Sequence, residues 1–465
     1  MKPMRAMVIV AGLTVAGRLS AGEAVVPTWS RDVAPILFGN CVECHHPGGP
    51  APFSFQTYES AAKRARAIAR LTQSRVMPPW LPSSPHGVFE GERGLTEDEI
   101  ATLARWAEGG APAGDFAAAP SAPPVPAGGW RLGPPDVVVR MPRPFSVPAG
   151  PGDLYQAFPI ALPAAAIPAE VREQARIPGT DWLGVSALEI RAGNSRVLHH
   201  AHLWADPERA ARRLESIPGV GYPAFGNPGF PGAVYLGGYV PGTTPRHLPA
   251  GIADVLPLGG DVVLQAHYSP TGKPETDQTE VGLYFTREPI KRTLEWLRLG
   301  SFNLEIPAGM ADYTVTDELV VPADCFVLSV SPHLHFLGRS ISAWVLFPDG
   351  RRQELLTIVR WNFRWQDRYT LKQPLALPAG ARIQVRWVYD NSATNPHNPH
   401  TPPQPVHFGP NTTDEMCEFH LFVIPVELED YPKFAALMAE TMAAKIAELT
   451  SEQRERYGFE AAGKR

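Results

Sequence analysis

Proline decides the architecture of most of this chain. Between Trp130 and about Pro425, apolar and polar residues alternate in short runs such as VVLQAHY, FVLSVS, ISAWVLF and RIQVRWVY. Proline or glycine soon interrupts each run. Proline lacks a backbone donor and fixes φ, so it belongs at strand ends and edges, not inside long helices or central strands. Period-two alternation broken at short intervals predicts an all-β region built as sandwiches. The 51 prolines among 465 residues suit that fold, and the length exceeds one ordinary domain. A short internal similarity points to two related β domains. LPLGGDVVLQAHYS (256–269) resembles LPAGARIQVRWVYD (377–390), and LHHAHLW (198–204) resembles SPHLHFL (331–337). The expectation is two tandem, jelly-roll-like sandwich domains over residues 131–290 and 291–427. A C-terminal helix and tail follow over 428–465, whose methionines are read as packing residues.

A net charge of −5 and a pI near 6.3 argue against a nucleic-acid binder. Lys2 and Arg5 precede the apolar run AMVIVAGLTVAG and the small-residue segment LSAGEA, the pattern of a signal peptide over residues 1–24. The chain is therefore expected to be exported, for instance to a periplasm. No stretch is long enough for an ordinary membrane span. Four cysteines across so long a chain do not make a disulfide scaffold.

Two of those cysteines stand in NCVECHHPGG. Cys41, Cys44 and His45 form CxxCH, the c-type haem attachment signature, in which two thiols bind the haem vinyl groups and the histidine reaches iron. A thioredoxin-like pair and a zinc half-site are the rival readings of CxxC. Upstream, SRDVAPILFGNC offers Ser30 as a helix N-cap; downstream, YESAAKRARAIARL reads as a helix. LTEDEIATLARWAEGGAP sets Thr96 as N-cap with Glu99 three residues on. Residues 25–115 thus resemble a small class I cytochrome c, a mainly helical domain with one covalent haem c. That resemblance implies Met77 as the second axial ligand, with His46 and His86 as weaker candidates. Residues 116–130, rich in Ala and Pro, read as a semi-rigid linker.

In the β region, histidines cluster. Residues 199–202 read His-His-Ala-His, His267 lies in LQAHYS, His333 and His335 lie in SPHLHFL, and Met416 lies in TTDEMCEF. Histidine with a thioether suits copper. The order HH…LQxHY…HxH…DEMC resembles the copper type II, ascorbate-dependent monooxygenases, the group of the peptidylglycine α-hydroxylating and dopamine β-monooxygenases. The resemblance implies two coppers per chain. His199, His200 and His267 match the ligands of the electron-transfer copper. His333, His335 and Met416 match the ligands of the copper where O2 is used to hydroxylate a substrate C–H bond. It also implies a solvent-filled cleft between the two, and an ascorbate-like or protein electron donor. The attached haem is an alternative source of electrons for the first copper.

His202 keeps the first ligand set open. In a regular strand His200 and His202 share a face and His199 points away, unless a bulge turns it. In the peptide-acting branch of the family an arginine two residues before the HxH pair grips the substrate carboxylate; here that position is Ser331, and a tyrosine four residues after the methionine is replaced by His420. A small substrate other than a peptide is therefore expected. A disulfide between Cys325 and Cys417 is not expected, because a bond requires Cα atoms within about 7 Å. His397, His400 and His407, in a Pro/Asn-rich stretch bordering the DEMC motif, are read as surface residues. The alternative function is a haem–copper electron carrier without catalysis.

Overall fold

The computed structural model describes residues 26–49, 51–125, 129–150, 152–240 and 243–457. The signal peptide expected over 1–24 lies outside the described residues. No described helix is long and apolar enough to cross a membrane.

Two β-sandwiches make up most of the chain. In the first, a five-stranded sheet runs in the order Val137–Arg140, Glu280–Phe285, Trp182–Arg191, Ile252–Pro257, Arg292–Thr293. A second sheet runs Tyr222–Pro223, Leu154–Ala161, Asp261–Tyr268, Leu198–Asp206, Val234–Tyr239. Their inner faces share one apolar core, including Val185, Leu203, Leu264 and Leu283. Asp261–Tyr268 is buried at every position. One face looks into the core. On the other, Val263 is covered by Ala211, Tyr222 and Ala224. Such a strand reads as a continuous apolar run, which is how VVL fits here.

The second sandwich pairs the sheet Glu295–Gly300, Glu418–Pro425, Cys325–His333, Tyr369–Leu377 with the sheet Tyr313–Val320, Arg382–Tyr389, Gly338–Leu346, Arg352–Ile358. Trp387, Tyr389 and Phe419 fill its core. The C-terminal helix Tyr431–Ala447 lies against this sandwich. Phe434 is fully buried, Met438 Sδ accepts from the Arg298 N–H at 3.1 Å, and Lys445 pairs with Asp317 at 2.6 Å. Met438 and Met442 are packing residues, as their helical spacing predicts.

The internal repeat does not extend to the topology. Leu198–Asp206 and Asp261–Tyr268 are hydrogen-bonded neighbours in one sheet. Their sequence counterparts, Cys325–His333 and Arg382–Tyr389, lie in opposite sheets of the second sandwich. The shared Leu-Pro-x-Gly stretch encodes a local turn before a strand, and such chemistry recurs without domain duplication.

Residues 29–108 form four short α-helices, Ala34–Asn40, Tyr58–Ala62, Ala65–Gln73 and Glu97–Glu108, around Trp29, Leu37, Leu103 and Trp106. Thr96 and Glu99 form the expected capping box. Ser30 is not a cap. It is buried inside the first turn, whose backbone is held by Asp32 accepting from the Thr28 N–H at 2.7 Å. The helix expected over 58–71 is broken at Lys63 and Arg64.

The expected boundary at residue 115 misses how this helical unit docks. Phe89 bridges to Leu371, and the N–H of Glu90 donates to the Thr370 carbonyl at 2.8 Å. Phe89 is 1 % exposed and belongs to the core of the second sandwich, with Trp80 and Val88 packed against it. Arg93 pairs with Asp367 at 3.1 Å where both side chains are largely buried. Glu43, inside the CxxC, contacts Arg131 at 3.4 Å and accepts from Thr244 Oγ1 at 2.6 Å on the first sandwich. The helical unit is thus keyed into both sandwiches. Phe89→Ala is expected to destabilise the protein by about 3–5 kcal/mol and to expose residues 116–125 to protease. Chemical denaturation and limited proteolysis would measure both.

Candidate metal centres

Three imidazoles converge at one end of a strand pair in the first sandwich. His200 is the register partner of His267, so the two stand side by side across adjacent strands. The register slips between Leu198 and His200, leaving His199 as the extra residue of a bulge. The bulge turns His199 to the side on which His200 already lies. The Nδ1 of His200 is 3.2 Å from the Nδ1 of His199 and 3.2 Å from that of His267. These three side chains form a metal-competent group among the described residues. His202 is not part of it: its Nδ1 faces Tyr235 Oη at 3.4 Å.

Three ring nitrogens this close cannot all satisfy one another. A neutral imidazole has one donor and one acceptor, and a pair of lone pairs face-on repels. A cation resolves the conflict. With metal–nitrogen bonds of about 2.0 Å, two nitrogens 3.2 Å apart subtend about 105° at the metal. Burial also favours the ligand form. It pushes His199 down to about 3 and His200 well below the usual imidazole range, with neighbouring histidines adding to the effect. His267 Nε2 is buried without a hydrogen-bond partner and faces Asp153 Oδ1 at 3.5 Å. A carboxylate behind a ligating histidine is the usual support of a metal site.

The second sandwich brings His333 and His335 together, with ring centres 5.1 Å apart and planes nearly perpendicular. His333 ends the strand Cys325–His333, and His335 lies just beyond it. A continuous strand through both does not form. Glu415 holds the departing chain: its carboxylate accepts from the N–H of His335 at 2.8 Å, of Leu337 at 2.6 Å and of Met416 at 3.1 Å. Tyr389 Oη donates to the Met416 carbonyl at 2.7 Å. One buried carboxylate therefore ties both sides of the expected ligand set to a common frame.

Hydrogen bonds fix the tautomers of this pair. The Gln366 amide nitrogen donates to the Phe363 carbonyl at 2.9 Å, which leaves Gln366 Oε1 to accept from His333 Nδ1. His335 Nδ1 lies 3.1 Å from the Asp414 carbonyl, which can only accept. Both rings therefore carry hydrogen on Nδ1 and offer Nε2. In the first cluster it is Nδ1 that converges. Burial lowers His333 and takes His335 well below its ordinary range.

One aromatic ring touches both clusters. The ring of Phe363 is stacked on His199 at 4.6 Å and meets the edge of His335 at 5.3 Å. Phe363 is buried between the two clusters, while its neighbours Asn362 and Arg364 stay exposed. Phe363, Gln366, Asp153 and Glu415 were not singled out from the sequence. Only Glu415 carried a signal, its place inside DEMC.

In the helical unit, 41–45 is a turn in which the His45 N–H donates to the Cys41 carbonyl at 2.9 Å. His45 Nδ1 lies 3.1 Å from the Phe53 carbonyl, leaving Nε2 free, and Phe53 and Phe55 flank the ring. Burial pushes the Cys41 thiol up to about 12 and raises Cys44 as well. A thioredoxin-like pair needs a lowered thiol pKa, so that rival loses support. Met77 lines a cavity of about 640 Å³ between the helical unit and the second sandwich, with Trp80, Ile100, Arg360, Trp361 and Trp365. Cys41, Cys44 and His45 do not line that cavity. His86 lines it too and pairs with Glu92 at 2.9 Å, while His46 bonds its neighbour's carbonyl.

Other residues take structural places. Ser331 donates to the Asp367 carbonyl at 3.3 Å. His420 accepts from the Trp296 indole at 3.0 Å and lies 3.0 Å from Glu418. His407, on the short strand Val406–His407, pairs with Glu305. His397 is exposed. Cys325 and Cys417 are free, buried thiols.

The depressed histidines set a pH dependence for the metal-free protein. An unfolded histidine takes up its proton near pH 6.5, whereas folded His199 resists until about 3. The unfolded state binds more protons between those values, so stability is intact above pH 6.5 and falls as pH drops toward 3. Each pH unit in that window should cost up to about 1.4 kcal/mol per such histidine. Thermal melts of the apo protein from pH 7 to pH 4 would show it, and His199→Gln should flatten the slope.

Residues 308–430 match the family model described as copper type II ascorbate-dependent monooxygenase, C-terminal domain. No curated protein matches the chain. Among solved structures it is similar to the VP2 subviral particle of infectious bursal disease virus, at 8 % identity over 64 % of this chain and 72 % of that one, with a TM-score of 0.18. It is also similar to PNGF-II, at 11 % identity over 62 % and 60 %, with a TM-score of 0.21. Scores that low carry no weight for fold or function. The family match covers residues 308–430 alone, falls on the sandwich that holds His333, His335 and Met416, and indicates a copper-dependent monooxygenase.

Proposed function

We propose that the protein is an exported monooxygenase that hydroxylates a C–H bond of a small substrate, using O2, two coppers and one covalent haem c. His333, His335 and Met416 would hold the copper at which O2 is used, and His199, His200 and His267 the copper that passes electrons. Cys41 and Cys44 would carry the haem, with His45 and Met77 as its axial ligands. Copper, when bound, supplies O2 activation and one-electron transfer, and a thioether among its ligands favours the reduced state.

The observation that carries this reading is the opposite tautomers of the two clusters. Nδ1 converges in one, and Nε2 is left free in the other. The protein's own part is to keep these imidazoles neutral and fixed. Glu415 and Tyr389 hold the backbone of Met416, and Gln366 and Asp414 orient the two rings. Phe363 fills the space between the clusters with an apolar ring. Ser331 offers no cation to a substrate carboxylate, so a glycine-extended peptide is not the substrate expected.

A chain of contacts joins the helical unit to the second cluster. Arg93 pairs with Asp367, and its neighbour Gln366 bonds His333. Metal analysis of the full chain, matured where haem c is attached, should give two coppers and one iron. His267→Ala should remove one copper and Met416→Ala weaken the other. Gln366→Leu should weaken the second copper by about 10–100-fold, as loss of an orienting partner does. Met77→Ala should change the haem spectrum. Labelled O2 should place one oxygen atom in product from amines or aromatics, and no label across a broad panel would count against the substrate reading.

A further inference from the structure

Asp153 stands between the two clusters and belongs to neither ligand set. Its side chain is 6 % exposed. Oδ1 faces His267 Nε2 at 3.5 Å and accepts from Ser269 Oγ at 3.0 Å. Oδ2 accepts from the backbone N–H of Thr412, in the other sandwich, at 2.8 Å. Thr412 lies in the turn that ends on Asp414, whose carbonyl fixes the Nδ1 of His335, and that runs on into Met416. Tyr155 makes a parallel bridge: its ring is stacked on His267 at 4.2 Å, and its hydroxyl donates to the Pro410 carbonyl at 2.5 Å.

We propose that Asp153 is a positioning residue that couples the two clusters, so that metal bound at either one strengthens binding at the other. The inference rests on reading both clusters as copper sites. A cation on the three Nδ1 atoms leaves His267 with an obligate Nε2–H. It also makes that N–H a stronger donor, because electron density is drawn toward the metal. The facing carboxylate then closes from 3.5 Å to the about 2.7–2.9 Å of a charge-assisted bond. Its second oxygen is already bonded to Thr412, so the movement reaches the turn that orients His335 and places Met416. Without metal, the buried Nε2 has no hydrogen-bond partner, and filling the triad supplies one. Coupling of this kind is reciprocal.

Asp153→Asn tests it on the full chain. The side chain keeps its size and an oxygen for Thr412, but offers His267 a neutral amide. Copper(I) would be titrated against a chelating competitor, and the copper–sulfur signal in X-ray absorption would report the Met416 cluster separately. Triad affinity should fall by about 10–100-fold. The copper–sulfur cluster, which Asp153 does not touch, should weaken by roughly 5-fold or more. Emptying the triad with His199→Ala should lower affinity at the copper–sulfur cluster by a similar factor when Asp153 is present, and leave it unchanged in the Asp153→Asn background. Thermal melts would confirm that the variants fold. A copper–sulfur affinity unmoved by Asp153→Asn, or an equal effect of His199→Ala in both backgrounds, would overturn the coupling. A wild-type protein with no copper–sulfur signal would instead overturn the reading of the clusters, and the coupling with it.

Discussion

Five imidazoles meet where the two sandwiches face each other, and each must stay neutral to serve as a ligand. Burial does this. Removing an imidazole from water disfavours its charged form, and neighbouring histidines add to the penalty. His199, His200, His333 and His335 are all displaced toward neutrality. The same burial would leave polar nitrogens unsatisfied. The fold answers with backbone and amide acceptors for the Nδ1 atoms of His333 and His335, whereas the triad nitrogens are left to face one another. The first arrangement stores two rings in a set orientation. The second sets three Nδ1 atoms where one cation could take all of them.

The parts around the histidines are arranged to keep that geometry. Glu415 accepts three backbone N–H groups from both flanks of the second cluster, so His335 and Met416 cannot shift independently. Residues 359–368 reach three partners at once. Phe363 touches both clusters, Gln366 fixes His333, and Asp367 pairs with Arg93 of the helical unit. A loop with so many buried partners is rigid for the same reason a core is: each contact limits the freedom of the next. The helical unit is therefore joined to both sandwiches and not suspended on its linker.

What was legible in the sequence followed from local chemistry. Period-two alternation and proline spacing set the β class, the capping box at Thr96 set a helix start, and the residue types at 199–200, 267, 333–335 and 416 announced soft-metal chemistry. Where local reading failed, longer-range packing decided. Ser30 had the chemistry of a cap, but its side chain was needed inside the helical core. The turn and strand shared by 256–269 and 377–390 looked like a repeat, but the sheet in which each strand lies is fixed by non-local pairing.

The sequence alone therefore determined the class of the β region and the residue types available for a metal site, because each depends on residues a few positions apart. Tertiary structure decided which histidines converge. A one-residue slip in register gathers His199 with His200 and His267 and leaves His202 against Tyr235. It also decided which nitrogen each ring presents, what fills the space between the clusters, and that Asp153 should hold a turn 259 residues away in the chain. Those outcomes depend on strand pairing and on the packing of one sandwich against another, and no local pattern encodes a contact between segments that meet only after both have folded.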